Sequence, residues 1–189
     1  MDAQQVSAIL LIASFAVVLL SMLLIAPGLY QTQDIEERLR IIEKHKMRWL
    51  ISEAAIFVYA ALSISGFAIL AYMLRTAGQS WLPVLATVAI AGGALVGSYF
   101  VYLQITDPRG GYSGAYPAAE NLAYWLWLAG TLLFGIAFLQ GDLPNWLGIL
   151  TAGATVAYGI AFAITGAGFM TPFIVAFLSL VIGIVLLST

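Results

Sequence analysis

Six apolar segments of membrane-crossing length, very little charge between them and one charged stretch with helical spacing assign this chain to the all-α integral membrane proteins. The expected architecture is a six-transmembrane-helix bundle with a cytoplasmic helical extension of the second helix. The charge is concentrated: nine of the sixteen charged residues fall within 34–48. Only 8% of the 189 residues are charged while 62% are apolar, against roughly a quarter charged in soluble domains. With a mean hydropathy of +1.01, such a chain cannot cover itself with a wettable surface. Soluble globular folds are excluded, and residues 1–189 read as a single membrane domain.

A helix needs about 20 apolar residues to cross a hydrocarbon core of about 30 Å. The segments 6–30, 49–74, 80–105, 119–140, 145–165 and 168–188 meet that length. The first follows Met1-Asp-Ala-Gln-Gln5, which lacks the positive region of a secretory signal, and it exceeds the signal core length of about 7–15 residues. It is therefore expected to persist as a membrane helix, leaving the bilayer at Ala26-Pro27-Gly28, a helix-stopping sequence.

The charged stretch reads as helix. Thr32 offers a cap, Asp34, Glu36 and Glu37 occupy the first turn, and Lys44, Lys46 and Arg48 come later, so the charges oppose the helix macrodipole. Asp34/Arg38 and Glu36/Arg40 have the favourable i,i+4 order. No helix breaker precedes segment two, which predicts one continuous helix from about 32 to 73. Its stripe of Ile35, Leu39 and Ile42 is expected to dock on protein or on the membrane surface.

Pro83, Pro117 and Pro172 fall near the starts of later segments, where a missing N–H is harmless. Gly141-Asp-Leu-Pro-Asn145 and Gly166-Ala-Gly168 read as tight turns between helices. Trp49, Trp81, Trp125, Trp127 and Trp146 lie near segment ends, as interfacial anchors would. Lys and Arg divide six to one in favour of the side holding loops 1, 3 and 5, with only Arg75 opposite. The positive-inside rule then places those loops in the cytoplasm and both termini outside, in a multi-pass protein of the cell (inner) membrane. A weak internal repeat relates segments two and three to four and five through Glu53 and Glu120, Gly66 and Gly135, and Trp81-Leu82 and Trp146-Leu147.

Candidate chemistry is sparse. Cysteine is absent and His45 is the sole histidine, which removes thiolate metal sites, iron–sulfur clusters and bis-histidine haem from this chain. No intrinsic cofactor or metal is expected. No basic stripe suggests nucleic acid. An ionisable residue inside a membrane segment is expensive and marks a functional candidate. Glu53 qualifies, four residues past Trp49 and hence only about 5 Å into the core, a depth that also allows snorkelling or pairing with the loop 1 cations. Glu120, behind Pro117, sits where the helix dipole favours an acid, and both glutamates lie at the same end of their helices. The loop between segments three and four carries Arg109 and three glycines, and its Tyr112 and Tyr116 gather with Tyr99, Tyr102 and Tyr124 near one face. Such flat amphipathic groups suit a quinone, a pigment or a lipid headgroup, and equally an interfacial belt. Gly93-x-x-x-Gly97 is a helix-packing motif.

No Ser/His/Asp set, carboxylate pair within a core helix or metal cluster can be assembled, which argues against catalysis by side chains. Two classes remain. One is a non-catalytic integral subunit or scaffold of a larger membrane complex, contacting quinone, pigment or lipid and partnered by other membrane subunits or by a second copy. The other is a small proton-linked or small-molecule transporter using Glu53.

Overall fold

The computed structural model describes residues 1–25, 28–29, 31–32, 34–165 and 171–189. The Ala26-Pro27 exit and the turn at 166–168 lie outside the described residues. The described part is all-helical: α1 (Ala3–Leu24), α2 (Ile35–Lys44), α3 (Lys46–Thr76), α4 (Leu82–Thr106), α5 (Pro108–Tyr112), α6 (Pro117–Leu139), α7 (Asn145–Thr165) and α8 (Thr171–Ser188). Six of these, α1, α3, α4, α6, α7 and α8, are long and apolar enough to cross a membrane. Their number and order match the sequence reading. The first helix ends earlier than expected, at Leu24.

These helices are apolar on every face, because their outsides as well as their insides avoid charge. Ile9, Leu20, Val88, Leu95, Ile149, Ile164 and Ile184 are exposed, whereas Ser7, Ser14, Ser63, Thr131, Thr155 and Ser179 are buried. Small polar residues inside let helices approach closely and bond across their interfaces. Ser7 Oγ donates to Gly66 O between α1 and α3 (2.9 Å), and Thr87 Oγ1 to Phe67 O between α4 and α3 (3.2 Å). Thr155 Oγ1 donates to Thr131 Oγ1 between α7 and α6 (3.3 Å), and Gln4 Nε2 to Leu186 O between α1 and α8 (2.7 Å).

Sequence neighbours pack side by side in the order α1, α3, α4, α6, and α8 returns to lie mainly on α1 with a lesser contact to α6. That arrangement encircles an interior space. Helix α7 packs chiefly on α6, outside the ring. Gly93 fixes the α4–α6 approach, since a Cβ there would lie 2.9 Å from the Ala123 carbonyl oxygen. Gly97, one turn on, faces the Trp127 ring.

The charged stretch is helical but is not a continuation of α3. His45, at φ −120° and ψ 30°, separates α2 from α3, which corrects the continuous helix expected from the absence of a breaker. The cap is also Asp34 rather than Thr32: Asp34 Oδ1 accepts from Glu36 N, and Thr32 Oγ1 accepts from Asp34 N. The bend lets α2 fold over the bundle end. Ile42 is buried with Leu29 and Trp49, while Leu39 packs against that cluster and Ile35 stays partly exposed. The stripe thus docks, in part, on the chain's own fold. Arg48 then caps α1 from the next helix, its Nε donating to Leu24 O at 2.9 Å and its Nη2 to Leu23 O at 2.7 Å.

Candidate functional site

The space inside the ring is a cavity of about 370 Å³. Alternation of direction brings the C-terminal ends of α1 and α4 and the N-terminal ends of α3, α6 and α8 to the same end of the bundle, and the cavity lies there. Val18, Ser21, Met22 and Ile25 line it from α1 and its cap, Ser52, Glu53 and Ile56 from α3, and Gly97, Phe100, Val101 and Gln104 from α4. Glu120, Ala123, Tyr124 and Trp127 of α6 and Pro172 and Phe173 of α8 complete the wall. Along α6 the wall runs from Glu120 to Trp127, roughly 5 Å to 15 Å from the helix start. The cavity therefore reaches from the bundle end to a depth of about half a bilayer core.

Glu53 and Glu120 both face this space, so the two candidate carboxylates share one site. Glu53 is only 7% exposed. Its Oε1 accepts from Tyr112 Oη at 2.9 Å, and Tyr112 Oη in turn accepts from Trp49 Nε1 at 3.0 Å. Tyr112 arrives from α5, whose fold depends on the preceding turn. Asp107 caps α5 by accepting from Gly110 N at 3.0 Å, and it also accepts from Tyr116 Oη at 2.7 Å. These two bonds hold the Asp107 carboxyl below the usual aspartate range, and the anion pushes the Tyr116 phenol up. Gly111 lies so close to α4 that a Cβ would come 2.9 Å from Gln104 Cα. Arg38 of α2 stands over the Tyr112 ring, 6.0 Å from its centroid. Both short helices thus brace the tyrosine that holds Glu53. Glu120, partly exposed at the rim, accepts from Tyr124 Oη at 2.9 Å.

The remaining sequence candidates are distributed elsewhere. Tyr99 and Tyr102 are more than half exposed on the outside of α4, and Tyr116 serves Asp107 rather than the cavity. Arg109 forms an exposed 2.7 Å salt bridge to Glu36, joining α5 to α2. The pairing considered for Glu53 with loop 1 cations is replaced by a phenol: among the described residues that line the cavity there is no Lys, Arg or His. Trp49 and Trp127 are each 2% exposed, so they are interior residues and not interfacial anchors, unlike the exposed Trp81, Trp125 and Trp146. Sequence reasoning missed Trp127, Phe100, Phe173 and Gln104 as wall residues. Trp125 and Trp127 are two apart, on roughly opposite helix faces, which is a signal that one of them turns inward.

Among the described residues no three His, Cys, Asp or Glu side chains lie together as a metal site would require. What the arrangement provides is a deep apolar and aromatic pocket with two acceptor carboxylates and one amide. Comparison of the chain with protein-family models, curated proteins and solved structures finds no match.

Proposed function

We propose that this multi-pass protein is a small-molecule carrier that takes an amphipathic molecule into the Glu53/Glu120 cavity, rather than a purely structural subunit. One observation carries the reading: a buried carboxylate faces a roomy cavity while held only by neutral donors. Carboxylates that merely stabilise a fold in an apolar interior are expected to sit against a cation. The depth of the cavity supports the same reading, because carrier sites lie near the bilayer midplane. An amphipathic molecule with a polar head and an apolar body suits such a wall.

Native mass spectrometry of protein released from mild detergent tests this, comparing the wild type with Gly97→Leu, whose new side chain would project beside Trp127 into the cavity. A bound small molecule present in the wild type and lost in the folded variant is the expected result. Equal occupancy in both would overturn the reading.

A second reading, an integral subunit or a homo-oligomer, is favoured by α7. Its Gly153, Ala157 and Ala161 are exposed at helical spacing, and nothing lies within 4 Å of a Cβ built at Gly153. Sizing in mild detergent separates this reading: a complex with other subunits or a dimer supports it, a monomer opposes it.

A further inference from the structure

Resting on the carrier reading, we propose that the ligand is a lipophilic organic cation, a protonated or quaternary ammonium or a phosphonium carried on an apolar body. The direction of the hydrogen bonds leads to this class. Trp49 donates to Tyr112 and Tyr112 donates to Glu53, so the relay ends on Glu53 as an acceptor. Tyr124 likewise donates to Glu120. Both carboxyl groups are thus hydrogen-bond acceptors served by neutral donors, and both face one apolar space. As carboxylates they would repel each other in this low-dielectric space, so their charge is balanced either by a proton on the carboxyl or by a cation that enters the cavity. Among the described wall residues none supplies a positive charge. A cationic ligand that displaces such a proton is the source that the cavity's size and aromatic wall favour.

The walls specify what kind of cation. An inorganic ion such as Ca²⁺ requires about six to eight oxygen ligands, and this wall offers mostly carbon. Phe100, Tyr124, Trp127 and Phe173 instead present aromatic rings, and aromatic rings near carboxylates are how ammonium groups are recognised when desolvated. A neutral quinone would offer the two acidic groups no charge partner, and an anion would add a like charge.

The test uses equilibrium dialysis of the purified full chain in nanodiscs against three probes, with empty nanodiscs subtracted. Tetraphenylphosphonium and tetraphenylborate have the same shape and opposite charge, and decylubiquinone is neutral. Saturable binding of the phosphonium, at least about tenfold tighter than either other probe, is expected. Glu53→Gln and Glu120→Gln should each weaken it by about tenfold or more, while Asp142→Asn, exposed in the turn after α6 and outside the cavity wall, leaves it unchanged. Elution and unfolding temperature of each variant establish that it is folded, and Glu120→Gln at the rim serves if Glu53→Gln does not fold. Tighter binding of decylubiquinone or of the borate would overturn the cation class while preserving the ligand site. Saturable binding of no probe would overturn both. Phosphonium binding that both glutamine variants leave unchanged would overturn the assignment to this cavity.

Discussion

Tyr112 and Glu53, 59 residues apart in the chain, are joined by a 2.9 Å hydrogen bond from the phenol to the carboxylate. The bond ties a five-residue helix in a loop to the wall of the bundle's interior cavity. It also makes the loop's turn, set by Asp107 and Tyr116, part of what positions the buried acid.

Tyr112→Phe removes the donor to Glu53 and the acceptor of the Trp49 indole together. Leaving buried polar groups unsatisfied costs about 1–3 kcal/mol, so the variant should unfold earlier than wild type in a fixed detergent. An unchanged unfolding profile would show that the relay does not form.

Gly93→Val places branched carbons where a Cβ would already approach the Ala123 backbone oxygen to 2.9 Å. Helices α4 and α6 must separate, at about 1–3 kcal/mol, and thermal unfolding in detergent reports the loss. Gly153→Ala on α7, with open space at its Cβ, should leave the same measurement almost unmoved. Equal effects at the two positions would contradict the packing order.

The sidedness comes from charge alone. Single cysteines at Ser80 and Glu37, both exposed, should label from opposite faces of intact cells, Ser80 from outside. Labelling of both from outside would refute the expected topology, in which loops 1, 3 and 5 are cytoplasmic.

The helices and their order were legible because membrane length and apolarity are local properties that need no tertiary information. Glu53 and Glu120 were legible as candidates for the same reason, since charge inside an apolar run stands out. Their common cavity was suggested only by both lying at one end of their helices. The break at His45 was hidden because neither Gly nor Pro marks it; it arises where α2 turns to bury Ile42 against Leu29 and Trp49. Tyr112 could not be separated from Tyr99, Tyr102 and Tyr116 by composition, because its distinction is a long-range contact. The tryptophans misled in part: nearness to a helix end says interface, yet only rotation about the helix decides whether a ring faces outward, as for Trp125, or the interior, as for Trp127.

The central claim is that a small apolar molecule can enter the cavity and reach Glu53. Dicyclohexylcarbodiimide, which reacts with carboxyl groups in apolar surroundings, tests this on the folded chain in nanodiscs, with adducts mapped by peptide mass spectrometry. The account predicts modification at Glu53, abolished by Glu53→Gln and sharply reduced when Gly97→Leu narrows the cavity. A Glu53 that stays unmodified in the folded protein and reacts only after unfolding would contradict it.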